Sequence, residues 1–299
     1  MKLKQDQSAD YTSRIKANAR QYPFLSSFLL RADQHRKERL TIFVSGPFAR
    51  GFEELLLKLR SYRTAFLQHR TLAPVAFVVD RARDDFLAAT EALLSGCHSV
   101  VVDLMRSVME AEYLLADFAA SPNSIKVWLK LTDRDRRRDY SPAKLRERRA
   151  QRAGKHTSDM MDAGEYALHS KGLHLNPTTL WFAPRGIWDS GNPFAFTTCL
   201  AELFEHARRF LVTTDELCSR VKRRRLRSRD WLRQTPAFFR AWETTQLQME
   251  VYQRLTGPVD DYIIPKDGSV DLLRLLRSAE AKRIVNRLRS EIPIQSTQQ

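Results

Sequence analysis

The sequence predicts a mostly α-helical protein, a helical bundle with additional helices at its N- and C-terminal ends. Two observations carry this prediction. Apolar residues recur at helical spacing in several long segments, and glycine is scarce, at 10 of 299 residues. The same scarcity disfavours folds rich in tight β-turns or glycine-lined phosphate loops. With 43% hydrophobic residues, the chain has enough apolar surface for one or two ordinary cores.

The N-terminal segment, 1–72, is predicted to form two or three helices. Apolar residues fill Tyr22–Leu30 and recur at helical spacing over Phe52–Leu67. Between these two stretches, Leu40–Pro47 is the best strand candidate, because it is rich in β-branched residues and ends at Gly-Pro. A single strand builds no sheet, so the predicted class is unchanged.

The segment 73–218 is predicted to form the central bundle, with a basic insertion at 130–158. One long helix is expected over Val75–Ala119, since the pattern contains no proline and ends before Ser-Pro-Asn. The second half of this helix is apolar on nearly all sides, so neighbouring helices should surround it. Helical patterns also cover 159–175 and 194–225, and in the C-terminal segment, 219–299, they cover 231–255 and 271–289.

Two basic stretches carry almost all of the formal net charge of +15. Residues 130–155 carry a net +7, and residues 220–233 carry another +7. Charge concentrated in this way is typical of proteins that bind phosphate backbones, and the indole ring in the second stretch can stack on a base. The alternatives are an exposed mobile linker for the first stretch and a solvated helix end for the second. The nucleic-acid-binding candidates are Arg136, Arg137, Arg138, Lys222, Arg223, Arg224, Arg225, Arg227, Arg229, Trp231 and Arg233.

A polar stripe interrupts the apolar half of the long central helix. Its members are spaced three, four and three residues apart, which places them on one face: Asp103, Arg106, Glu110 and Tyr113. Burying an unpaired guanidinium or carboxylate is costly, so these groups either pair with each other or meet a ligand. Both interpretations remain open at this stage.

No metal or cofactor is expected from the sequence, and the predicted compartment is the cytoplasm. His169 and His174 are five residues apart, a poor spacing for joint metal ligation on a helix. The three cysteines are far apart and odd in number, which fits a reducing compartment. The polar N-terminus lacks the apolar core of a secretory signal, and no apolar run is long enough to span a bilayer.

The central helix and a later segment together resemble a known family. Leu104-Met-Arg106-Ser-Val-Met-Glu110, followed by Tyr166-x-x-x-Ser170-x-x-x-His174-x-x-Pro177, is similar to a group of bacterial helical proteins associated with the HEPN superfamily of four-helix bundles. The resemblance covers about residues 75–215. It implies a HEPN-like four-helix core. Many HEPN-like proteins are metal-independent ribonucleases, several of them toxins or defence effectors.

The resemblance also implies roles for three residues. Arg106 would bind the phosphoryl oxygens, Glu110 would hold Arg106 in place, and His174 would transfer a proton to or from the ribose or the leaving oxygen. The arginine-x(4–6)-histidine spacing that HEPN nucleases usually carry on one helix is absent from the central helix of this sequence.

Two functions from different classes follow. The first is a nucleic-acid-binding protein, with RNA favoured over DNA, that is a candidate metal-independent ribonuclease in bacterial defence or stress. The second is a non-catalytic helical module that binds nucleic acid or an acidic protein, as a homodimer or within a larger assembly. Membrane-surface binding is disfavoured, because the basic runs lack the large apolar flank of an interfacial helix.

Overall fold

The mostly α-helical bundle predicted from the sequence is confirmed. A computed structural model describes residues 13–17, 19–152, 193–222 and 234–256, and these residues include helices and no strand. The helices are α1 (Pro23–Ser45), α2 (Phe48–Leu67), α3 (Ala76–Ser95), α4 (His98–Ala120), α5 (Ser124–Lys130), α6 (Asp133–Asp139), α7 (Pro142–Arg152), α8 (Pro193–Lys222) and α9 (Pro236–Thr256). The helices predicted at 159–175 and 271–289 lie outside the described residues.

The strand candidate at 40–47 is wrong, because these residues complete α1 and its final turn. Phe43 is buried there, with its ring 6.4 Å from that of Phe48 and 6.2 Å from that of Phe52. Arg39 is buried as well and donates a 2.8 Å hydrogen bond to the carbonyl oxygen of Leu94. These contacts with α2 and α3 need helical spacing, and they outweigh the weak strand preference of β-branched residues.

The single helix predicted over 75–119 is also wrong, because Gly96 divides it into the hairpin of α3 and α4. Gly96 has a φ of 81°, in the left-handed region that glycine adopts most readily. The backbone N–H of Cys97 then donates to Ala92 at 2.8 Å, which closes the end of α3. Apolar residues continue on both sides of this turn, so the helical pattern alone hides it.

A single hydrophobic core joins the long helices. Helices α2, α3, α4 and α8 surround its centre, α1 packs against α2 and α3, and α9 packs against α2 and α8. The core contains buried side chains from Phe43 through Ala241, so helices of all three predicted segments, 1–72, 73–218 and 219–299, contribute to it.

Helix α9 approaches α2 unusually closely at Gly51. A Cβ atom added there would lie 2.6 Å from the Cβ of Ala241, so this position has no room for a side chain. Beside this contact, Glu54 accepts hydrogen bonds from the backbone N–H groups of Ala237 and Phe238, at 2.7 and 2.9 Å. The carboxylate therefore satisfies two of the N–H groups that the first turn of a helix leaves without partners.

None of the helices within the described residues has the length and apolar character needed to cross a lipid bilayer.

Candidate functional site

The predicted pair Arg106 and Glu110 forms an ion pair along the surface of α4. Nε of Arg106 lies 3.3 Å from Oε1 of Glu110, one helical turn away. The two side chains are 26% and 43% exposed, so neither charge is sealed in the core. This geometry fits the ion-pair interpretation of the stripe, and it also leaves the Arg106 side chain partly exposed. The third predicted catalytic residue, His174, lies outside the described residues.

The four residues of the polar stripe on α4 differ in their surroundings. Tyr113 is buried, and the guanidinium of Arg146 from α7 lies 5.7 Å from its ring. Asp103 and Arg106 are partly exposed, nearer the start of α4. The crossing of α7 over the second half of α4 causes this difference, since Leu145 packs with Met109 and Tyr113 in a small separate apolar cluster.

The most deeply buried carboxylate of α4 is Glu112, which the sequence analysis did not single out. Nε of Arg209 from α8 lies 3.1 Å from one of its oxygens, and a guanidinium nitrogen of Arg149 lies 3.8 Å from the other. Burial raises the pKa of Glu112 above its usual value, while Arg209, His206 and Arg149 oppose the rise. His206 is fully buried on α8, with Nε2 3.2 Å from a carboxylate oxygen of Glu202.

A second buried carboxylate, Asp117, holds α7 against α4. It accepts hydrogen bonds from Nε of Arg148 at 3.0 Å and from Nη2 of Arg152 at 2.7 Å. Arg148 also donates to the carbonyl oxygen of Asp139 at 2.6 Å and lies 4.7 Å from the ring centre of Tyr140. Three arginines of the first basic stretch therefore face buried acids, and the interpretation of this whole stretch as an exposed linker is wrong.

A sequence signal for these ion pairs exists in hindsight. Glu112 and Asp117 stand among apolar residues of α4, and a run with four arginines follows at 146–152. Buried acids need partners, so an excess of arginine nearby is the expected complement. The sequence could not indicate that Arg209, which is 97 residues from Glu112, supplies another partner.

The three arginines predicted on α6 differ in their surroundings. Arg136 donates to the carbonyl oxygen of Leu131 through Nε and Nη2, at 3.0 and 2.8 Å. Arg138 is ion-paired with Asp135 and Asp139, at 3.1 and 2.7 Å. Arg137 is exposed and forms no ion pair with the residues that the structure describes. Of the three, Arg137 is therefore the one whose charge is not balanced by a described acid.

Arg137 belongs to a wider group of cations on α5 and α6, which we call the α5–α6 basic surface: Lys126, Lys130, Arg134 and Arg137. All four side chains are exposed, and within the described ranges none of them pairs with an acid. They fall within 12 consecutive residues, so their charges add to one local field.

Of the nucleic-acid-binding candidates in the second basic stretch, the structure describes Lys222, whose backbone ends α8. The other candidates of this stretch lie outside the described residues: Arg223, Arg224, Arg225, Arg227, Arg229, Trp231 and Arg233.

Comparison with known proteins adds no relative, since no family model, curated protein or solved structure matches this chain. Within the described part of the chain, no group of three or more His, Cys, Asp and Glu side chains is arranged to hold a metal ion. Within the described residues, Cys97, Cys199 and Cys218 form no disulfide.

Proposed function

We propose that this protein binds nucleic acid, with RNA preferred to DNA, through the α5–α6 basic surface and the basic stretch that follows α8. The observation that carries the proposal is the group of four exposed cations within residues 126–137, none of them paired with a described acid. A cation without an acidic partner can bind a phosphate without first breaking an ion pair. Each such contact releases a counterion from the nucleic acid, which favours binding at low salt.

The arginines of α7 serve a different purpose from those of the α5–α6 basic surface. Arg148 and Arg152 hold the buried carboxylate of Asp117, so moving them to a phosphate would leave an unpaired charge in the core. Phosphate binding by the first basic stretch is therefore assigned to α5 and α6, although α7 also carries four arginines.

The test is the salt dependence of RNA binding by the full chain. A variant with Lys126, Lys130, Arg134 and Arg137 all changed to Gln should lose affinity. Its plot of log affinity against log salt should flatten by about 3 units on single strands, since each lost contact removes about 0.7. A matched control changes four exposed cations elsewhere to Gln, and it should leave the slope near the wild-type value: Arg31, Arg50, Arg60 and Arg240.

Two outcomes would contradict the proposal. One is wild-type binding that is undetectable or independent of salt, and the other is an equal effect of both fourfold variants, which would indicate an unspecific charge effect. Changing Arg223, Arg224 and Arg225 together to Gln tests the second basic stretch by the same measurement.

A second candidate function is metal-independent RNA cleavage in bacterial defence or stress. The observation that favours it is the placement of Arg106, whose guanidinium is paired with Glu110 while its side chain is 26% exposed. An arginine held in this way is suited to bind phosphoryl oxygens and stabilise the charge that grows on them during cleavage. The resemblance to HEPN proteins supports the same role and adds His174 as the proton-transferring group.

RNA cleavage in the presence of EDTA tests this second candidate. Wild type should cleave, and Arg106→Ala and His174→Ala should both lose activity while keeping RNA affinity. Equal cleavage by all three proteins would indicate contamination or a different site. Binding without cleavage by any of them would favour the non-catalytic interaction module.

A further inference from the structure

A pair of aromatic rings, one exposed and one partly buried, lies beside the α5–α6 basic surface. Phe77, in the first turn of α3, is 53% exposed. Its ring lies 6.1 Å from that of Trp128 on α5, at an interplanar angle of 21°, so the two rings are stacked. Trp128 in turn meets the fully buried ring of Phe118 edge to face, at 5.9 Å and 72°. The stack is therefore fixed to the core at one end and open to solvent at the other.

Arg136 links this stack to α6. Its guanidinium carbon lies 5.3 Å from the centre of the Trp128 ring, and its two hydrogen bonds to the carbonyl oxygen of Leu131 fix it there. Helix α6 is thereby held against α5. Arg137, which is paired with none of the described acids, is the next residue along α6.

The lysines of α5 share their helix with Trp128. Lys126 and Lys130 stand two residues before and after Trp128, so both project from the side of α5 opposite to that ring. Between them, Val127 and Leu129 are exposed, so apolar surface adjoins the charges. A strand that stacks a base on the exposed ring can carry its phosphates around α5 to the lysines, and single-stranded nucleic acid requires both groups, because phosphates need the charges and bases need the ring faces.

We propose that Phe77 and Trp128 form a base-stacking platform for single-stranded nucleic acid, whose phosphates are bound by Lys126, Lys130, Arg134 and Arg137. The inference rests on the proposed nucleic-acid binding and specifies its substrate. A duplex satisfies the four cations equally well, but its bases are already stacked on each other and offer no face to Phe77. A single strand offers both phosphates and unstacked base faces, so it should bind more tightly than a duplex of the same length.

The test compares two probes and three variants of the full chain by fluorescence anisotropy. The probes are a single-stranded RNA of about 12 nucleotides and a hairpin duplex that contains the same sequence. Phe77→Leu keeps apolar bulk but removes the flat ring, and it should weaken single-strand binding by about tenfold while leaving duplex binding unchanged. Phe77→Tyr keeps the ring and should bind the single strand as wild type does.

Leu57→Ala is the matched control, because Leu57 is 55% exposed on α2 and should not contribute to either affinity. Circular dichroism and thermal melting establish that each variant is folded. The salt slope of Phe77→Leu should equal that of wild type, since no cation is removed.

Each of the following outcomes would overturn the proposal of a base-stacking platform. Unchanged single-strand binding by Phe77→Leu would show that the ring does not stack, and an equal loss on both probes would show that its contribution is not specific to unpaired bases. In both cases nucleic-acid binding itself would stand. Tighter binding of a poly-glutamate peptide than of RNA, with the same dependence on Phe77, would assign the surface to an acidic protein. Absence of binding by wild type to either RNA would overturn the proposed function as well.

Discussion

Removing the guanidinium that faces Glu112 should destabilise the protein strongly. Arg209 is 15% exposed and lies 3.1 Å from a carboxylate that is 3% exposed, so Arg209→Met leaves an acid in the core with the more distant Arg149 and the buried His206 near it. Breaking a buried ion pair from one side costs about 3–5 kcal/mol, and Arg149 should reduce the loss toward the lower value.

The double variant separates the ion pair from the packing around it. Replacing both partners, as Glu112→Met with Arg209→Met, removes the unpaired charge along with the bond. The double variant should therefore recover to within about 1 kcal/mol of wild type, because well-packed apolar residues can substitute for a buried pair. Urea unfolding of the four proteins of this cycle, followed by circular dichroism, gives the coupling energy directly.

The pH dependence of the stability lost in Arg209→Met provides a second measurement. Burial already raises the pKa of Glu112 in wild type, so the folded protein holds a proton on this carboxyl at pH values where the unfolded chain has released it. Stability therefore falls as the pH rises through that interval. Without Arg209 the pKa of Glu112 rises further, and the cost of Arg209→Met should be smaller at about pH 5 than at about pH 7. A cost below about 1 kcal/mol, or equal costs at both pH values, would refute the reasoning.

Three further predictions concern the turn and the ends of α4. Gly96→Ala should lower the free energy of unfolding by about 1–2 kcal/mol, because φ is 81° and the new Cβ would lie 2.8 Å from a guanidinium nitrogen of Arg39. An unchanged melting temperature would contradict this. Burial, aided by the charge of Arg39, lowers the pKa of His98 to about 4. Between about pH 6.5 and pH 4 the unfolded chain binds a proton that the folded protein excludes, so stability should fall as the pH drops through this interval. His98→Gln should lack this fall, and a variant that retains it would assign the effect to another group. Asp117→Asn should release α7 and speed tryptic cleavage within 146–152, whereas Glu147→Gln, which breaks only a surface ion pair, should leave the cleavage rate unchanged.

The sequence predicted the long helices better than the turns between them. The apolar stripe that begins at Phe196 predicted a helix over 194–225, and the structure places α8 at Pro193–Lys222. The hairpin at Gly96 was missed, because apolar periodicity continues through it and a glycine inside a helical pattern is tolerated. The strand candidate failed for the opposite reason, since its local preference was overruled by the packing of Phe43 against α2.

The charges of the candidate site were only partly predictable. The Arg106–Glu110 pair follows directly from its spacing of four residues on one helix. Which arginines of the first basic stretch face solvent depends on how α7 crosses α4, and a local pattern does not contain that information. Arg137 and Arg148 look equivalent in the sequence, yet one is exposed and the other holds a buried carboxylate.

The inward-facing arginines of α7 change what an approaching polyanion experiences at a distance. Because Asp117 and Glu112 offset part of their charge, α5 and α6 supply a larger share of the outward field of this region than a count of basic residues suggests. A field concentrated on one part of a surface orients the molecule during the diffusional encounter, before any contact is made. Rising ionic strength should therefore slow association of a nucleic acid much more than it speeds dissociation.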